Sequence, residues 1–218
     1  MDFALSNEHD LVKETAKRFA EETISPVARD LEQPENRQKF YKILKELSEL
    51  GFMGMNVDEK FGGSNSGVIA FSVAVTEIAK SCASVAVAMS VNNLVAEVLQ
   101  LIGSHEQKTR HIPALCTGEY LSGAFCLSEA NAGSDPSLMK TFAENQNSEW
   151  IINGEKMWIS NADCAGVFIV WAKTLKEQLE ESHKESVVFE KMRTAIGIQT
   201  SQEITDEIEA MFASLPQE

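Results

Sequence analysis

The apolar pattern of this chain changes period at Gly118, and that change limits the folds open to it. Before Gly118, Leu11, Thr15 and Phe19, and then Phe40, Ile43, Leu44, Leu47 and Leu50, recur at the spacing that puts side chains on one face of a helix. After it, Leu121–Leu127, Lys140–Ala143, Trp150–Asn153, Lys156–Ser160 and Val167–Ala172 read as short strands separated by polar turns. Asn153-Gly154 is the strongest hairpin signal among them, because both residue types accept the positive φ of a tight turn. The pattern predicts an α+β chain with a mostly α-helical domain over 1–118 and a partial antiparallel β-domain over 119–174. A charged stretch over 175–218 reads as a helical acidic tail.

Local signals assign the boundaries. Ser6 or Asn7 caps the first helix, Pro26 suits the first turn of the next, and Gly51 ends the helix that contains Phe40. Five glycines from Gly51 to Gly67 mark an irregular connection in which Gly62 and Gly63 take conformations closed to other residues. Helical patterning resumes over Val68–Lys80 and Ser84–Ile102, with Ala83, Ala86, Ala88 and Ala96 allowing close approach of neighbouring helices. Ser104 and Gln107 form a capping box for a further helix, which Pro113 kinks. In the tail, Glu177, Glu180, Glu181 and Glu185 alternate with Lys176 and Lys184 as on a solvated helix face. Thr200 and Glu203 offer a second capping box ahead of an apolar stripe of Ile204, Ile208, Met211 and Phe212.

Charge narrows the partners. A formal net charge of -14 opposes binding to a phosphate backbone, which depends on Lys and Arg displacing counterions, so no nucleic-acid partner is expected. Asn92, Asn93, Glu97 and Gln100 interrupt the most apolar stretch, Ser84–Ile102, so an integral membrane protein is not expected either. Cys82, Cys116, Cys126 and Cys164 lie far apart without metal-ligand spacing and read as reduced, buried thiols. The acidic opening Met1-Asp2-Phe3-Ala4 lacks the basic and apolar regions of a leader, which fits a cytoplasmic protein.

The densest chemical signal is Phe125-Cys-Leu-Ser-Glu-Ala-Asn-Ala-Gly-Ser-Asp135, a strand running into a turn of small residues and hydroxyls. Ala132 and Gly133 let a planar ligand approach the main chain, and Ser128 and Ser134 each give and take hydrogen bonds. A plain Gly-Ser-Asp turn in which Asp135 caps its own backbone explains the same residues. Downstream, Ile151-Ile-Asn-Gly-Glu-Lys-Met-Trp-Ile-Ser160 carries Trp158, which can stack on a flat ring system or serve as a core aromatic.

Together these segments resemble the acyl-CoA dehydrogenases, whose signature runs from an apolar residue through a hydroxyl residue and Glu to Gly-Ser-Asp, followed by a Trp-Ile-Thr-like triplet. Leu50-Gly-Phe-Met-Gly-Met with Glu59-Lys-Phe-Gly-Gly63, and the Gly103–Gly118 segment, resemble other parts of the same family, so that the likeness covers Asp2 to Lys173. The resemblance implies an FAD-dependent oxidoreductase of fatty-acid metabolism that desaturates an acyl-CoA thioester. Cofactor contacts would come from Phe125, Cys126, Leu127, Ser128, Gly133 and Ser134, and from Trp158, Ile159 and Ser160. Ser134 would also meet the acyl-CoA substrate. Ala130 and Asn131 stand where the family often has Pro-Gly, and Leu138 where a small residue is usual.

The same resemblance places the family's catalytic carboxylate in a C-terminal helical bundle. No residue of this sequence aligns with that base, and no tail glutamate inherits the role. The expectation is therefore a truncated relative with impaired activity, whose unfinished sheet edges call for a second copy or another protein. The alternative is a non-enzymatic interaction module, or inactive remnant, that keeps the helical scaffold.

Overall fold

The computed structural model describes residues 4–146 and 149–174. They form two compact units. One comprises residues up to 100, 107–125 and 160–168, and the other comprises 101–106, 126–159 and, of the described residues, 169–174. The predicted tail and its Glu177, Glu180, Glu181 and Glu185 lie outside the described residues.

Five α-helices dominate the described chain: α1 (Asn7–Phe19), α2 (Arg37–Glu49), α3 (Gly67–Ser81), α4 (Ala83–Ile102) and α5 (His105–Thr117). The Ser6 hydroxyl accepts the His9 N–H at 3.2 Å and starts α1, with Glu8 and Asp10 on its positive end and Lys17 and Arg18 on its negative end. Pro26 starts no helix: α1 widens instead into a π-helical turn over Ala20–Ile24, and the next regular helix waits until Arg37. Gly51, at φ 78, ends α2 in the left-handed conformation that its lack of a Cβ permits. Two single turns of 3-10 helix, Phe52–Gly54 and Glu59–Phe61, fill the predicted irregular segment.

The helical unit packs around Ile24, Leu44, Leu47, Met53, Ile78 and Met89, all fully buried. α4 has 20 residues with a mean hydropathy of 1.6, long and apolar enough by composition to cross a membrane, but half of that stretch is buried inside the protein, as in a core helix. The role of its polar interruptions is structural. Asn92 and Asn93 are fully buried. The Asn93 side chain accepts the Met55 N–H at 2.8 Å and donates to the Phe52 carbonyl at 2.9 Å. The Asn92 amide donates to the Met53 carbonyl at 2.7 Å, and its oxygen accepts the Gly123 N–H at 2.9 Å. Two side chains thus pair three backbone groups of the glycine-rich segment and one of the first strand, as buried polar groups of a core helix do. At Gly123 a Cβ would meet the Val95 Cγ1 at 2.5 Å, so that strand lies against α4 only because the position has no side chain.

Among the described residues the strands are β1 (Ser122–Cys126), β2 (Phe142–Gln146), β3 (Glu149–Asn153) and β4 (Ala165–Val170). Among the described residues they form two two-stranded sheets, β1 with β4 and β2 with β3, the second of which has the predicted antiparallel pairing. β2 and β3 are antiparallel with Ala143 opposite Ile152 and Gln146 opposite Glu149, while Phe142 and Lys173 form an isolated parallel bridge. Asn153 pairs with Phe142 at the far end of this ladder, so among the described residues Asn153-Gly154 does not join β2 to β3. The predicted strand Lys156–Ser160 is absent among the described residues, because Trp158 at φ 56 and Asn161 at φ 64 break an extended run. Of the four thiols, Cys116 and Cys126 are buried, whereas Cys82 and Cys164 are only half-buried. Burial pushes the Cys116 thiol up to about 11, which keeps it protonated at neutral pH.

Replacing Asn93 by Leu leaves the Met55 N–H and Phe52 carbonyl buried and unpaired, at a cost of roughly 1–3 kcal/mol for each group. A urea titration is expected to show a loss of about 3 kcal/mol or more. A change within about 0.5 kcal/mol, the size of an ordinary surface substitution, contradicts the anchoring role.

Candidate functional site

Beyond β1 the chain leaves the sheet and turns back on itself. The Glu129 N–H donates to the Ala132 carbonyl at 3.0 Å and the Ala132 N–H returns to the Glu129 carbonyl at 3.1 Å, which closes a tight turn over Ala130 and Asn131. The Asp135 carboxylate then accepts the Ser137 N–H at 3.0 Å and the Ser137 hydroxyl at 2.5 Å, so Asp135 caps its own backbone. Gly133 and Ser134, between the two turns, are exposed, and a Cβ built on Gly133 meets nothing within 4 Å. Gly133 is thus not required by packing or by a positive φ; it leaves open space beside the main chain.

The turn is held by a buried ion pair. The Lys156 ammonium lies 2.7 Å from Glu129 Oε1 with side-chain exposures of 10% and 8%, and it also donates to the Leu127 carbonyl at 3.0 Å. Glu129 further accepts the backbone N–H groups of Lys140 at 2.6 Å and Thr141 at 3.0 Å. The Met157 N–H donates to the Ser128 carbonyl at 2.8 Å. Burial pushes the Glu129 carboxyl up, but the Lys140 backbone N–H, the Lys156 ammonium and Thr141 outweigh it and bring its pKa down to about 2. A cleft of about 280 Å³ opens beside this pair, lined by Ala130, Asn131, Lys140, Gly154, Glu155 and Met157.

Trp158 follows at once, with 89% of its surface exposed and φ 56. It is therefore no core aromatic. A non-glycine residue held in the left-handed region carries roughly 1–3 kcal/mol of strain, of the kind that clusters at ligand sites. Ile159 and Ser160 are half-buried. In the helical unit, the buried Asn161 donates to the Ser122 hydroxyl at 2.6 Å and the Ala88 carbonyl at 3.2 Å, while Asp163 pairs with Arg37 and accepts the Tyr41 hydroxyl at 3.1 Å. The Arg37 guanidinium also lies 4.7 Å from the centre of the Phe40 ring.

The other residues singled out from the sequence fall into three settings. Phe125 and Cys126 close β1, with Cys126 buried and its carbonyl accepting the Trp171 N–H at 3.1 Å. Leu127 and Ser128 are half-buried and are joined by hydrogen bonds to Lys156 and Met157, directly before Trp158. Gly133 and Ser134 sit in the exposed turn. Sequence reasoning gave no role to Lys156, Asn161 or Asp163, and it used Glu129 only as a letter of the signature. The available signal was a lone Lys among apolar residues in Glu155-Lys-Met-Trp-Ile.

Comparison with known proteins decides the family. Residues 6–119 match the acyl-CoA dehydrogenase N-terminal domain and residues 124–209 match its middle domain. The chain belongs to the acyl-CoA dehydrogenase family. Its middle-domain match continues past Lys173, where the likeness read from motifs alone stops, into residues outside those described. It is 35% identical over 178 residues to an acryloyl-CoA reductase (NADH) of Anaerotignum propionicum, covering 80% of this chain and 44% of that protein. A probable acyl-CoA dehydrogenase of Bacillus subtilis is 38% identical over 179 residues, covering 82% of this chain and 46% of its own length. The structure of an acyl-CoA dehydrogenase complexed with FAD from Bacillus anthracis superposes with a TM-score of 0.71 at 32% identity, over 78% of this chain and 29% of that one. The chain thus spans less than half the length of these relatives.

A lowered carboxyl stabilises the fold above its ordinary titration range, and that contribution is lost as the pH falls toward the folded value. With a tenfold change in proton affinity worth about 1.4 kcal/mol, a fall from 4.5 to about 2 is on the order of 3 kcal/mol at neutral pH. Glu129→Gln is expected to lose about 3 kcal/mol at pH 7, because the Lys156 ammonium stays buried without its counter-ion. It should also show a shallower loss of stability than the wild type as pH falls from 4.5 toward 2. Urea titrations across that range check both effects, and parallel pH profiles contradict the assignment.

Proposed function

We propose that this chain provides the flavin-facing part of an FAD-dependent acyl-CoA dehydrogenase-type oxidoreductase. The observation that carries the reading is Trp158, a large flat side chain that is 89% exposed at a strained φ of 56, directly after the two hydrogen-bonded segments of the family signature. Exposed indole rings are costly to leave in water, and stacking on a planar ring system recovers that surface. The open face at Gly133 suits the approach of the same kind of ligand.

In this reading Phe125, Cys126, Leu127, Ser128, Gly133 and Ser134, with Trp158, Ile159 and Ser160, line FAD. The Ser128 and Ser160 hydroxyls meet its polar edge, where a Ser in place of the family's Thr keeps the required donor and acceptor. Ser134 meets an acyl-CoA thioester as well. FAD, when bound, supplies the hydride acceptor for α,β-dehydrogenation. The chain's own residues bind and orient: Trp158 covers the ring, the serines fix its edge, and Glu129 with Lys156 holds the turn beneath them. The carboxylate base is assigned to no residue of this chain. A second copy of the chain or another protein is the expected partner in this reading, and a cytoplasmic location fits the composition.

The reading is tested on the purified full chain by recording a flavin absorption spectrum and its bleaching on addition of acyl-CoAs. Trp158→Ala is expected to leave the melting temperature unchanged, since the side chain is exposed, and to weaken FAD binding about tenfold through the lost stacking. Unchanged FAD affinity in that variant sinks the reading.

A further inference from the structure

Trp158 raises a question of aim. A side chain 89% exposed is not held by packing, so its direction follows from its backbone. The residues just before it are fixed by three hydrogen bonds to the Leu127–Glu129 segment: Lys156 Nζ to the Leu127 carbonyl at 3.0 Å and to Glu129 Oε1 at 2.7 Å, and the Met157 N–H to the Ser128 carbonyl at 2.8 Å. The two acceptors of Lys156 flank Ser128 on either side. The carbonyl of Ser128 itself is taken by Met157, the neighbour of Trp158. A third segment joins through the Lys140 and Thr141 N–H groups on the Glu129 carboxylate.

The side chain of Lys156 is only 10% exposed, and burying an ammonium is costly unless it is paired and hydrogen-bonded. A neutral residue would fill this place at lower cost if the site needed only a packed loop. From this geometry we infer that Lys156 is a positioning residue, whose ammonium locks the Leu127–Glu129 and Met157–Trp158 segments in one register so that Ser128 and Trp158 present a single ligand face. The inference rests on the flavin reading above for the identity of that ligand, but the register itself belongs to the protein alone. Support of this kind acts through the groups it orients, and its removal commonly weakens a site by about ten- to a hundredfold.

The test compares wild type with Glu129→Gln/Lys156→Met, which removes both charges and so avoids a stranded carboxylate. That double variant is expected to melt with the wild type yet bind FAD at least about tenfold more weakly, with a changed absorption envelope of the bound flavin. Wild-type affinity and spectrum in a folded double variant overturn the inference. If the double variant does not fold, Lys156→Gln, studied well below its own melting point, gives the same comparison, and wild-type FAD affinity again overturns it. If the wild type binds no FAD, the flavin reading fails separately, and amide exchange decides the register. The Met157 N–H should then exchange at least about tenfold faster in the variant, as a freed hydrogen bond does. Unchanged exchange overturns the clamp.

Discussion

Two adjacent side chains in the middle of α4 hold the helical unit together. Asn92 and Asn93 are fully buried in a mostly apolar helix, and between them they satisfy backbone groups of Phe52, Met53, Met55 and Gly123. A glycine-rich segment has no regular ladder of its own, so its buried N–H and carbonyl groups must find partners elsewhere. The paired asparagines are those partners for Phe52, Met53 and Met55, and Gln100 of the same helix accepts the Asp58 N–H at 2.8 Å. The asparagines also receive the first strand, where Gly123 lets the backbone approach Val95 and Leu115. The starting point of β1, and hence of the signature segment that follows it, depends on this pairing.

The site uses the same device with charge added. Glu129 closes a turn with its backbone and ties three stretches of chain with its carboxylate, to Lys140, Thr141 and Lys156. A buried ion pair of this kind contributes little net stability relative to an apolar replacement, and its attested use is to fix one arrangement over others. That fits a loop whose neighbouring residues, Gly133, Ser134 and Trp158, are exposed and make no core. Burial is spent on the support, and exposure is left to the groups that the proposed function turns toward a ligand.

What could be read from the sequence was what is decided locally. Ser6 caps α1 and Gly51 ends α2 because a cap depends on one side chain and a few backbone atoms. The change of period at Gly118 appears as the change from helices to strands. Pro26 failed as a helix start because α1 continues into a wider turn through Ile24, a choice made by the packing of Ala20 and Ile24 into the core. The Lys156–Ser160 strand failed for a tertiary reason: Asn161 turns back to reach Ser122 and Ala88, and Lys156 turns inward to Glu129. No local pattern shows either. The signature residues were recognisable as letters, but the partnership of Glu129 with Lys156 spans 27 positions and emerges only from the fold.

The central claim is that the signature turn and the Trp158 segment form one flavin-binding face. Hydrogen exchange of the whole chain with and without FAD, read peptide by peptide, tests it most directly. The account predicts slowed exchange confined to the stretches containing Ser128–Ser134 and Met157–Ser160, with α1 and α2 unchanged. Protection elsewhere, or none at saturating FAD, contradicts it.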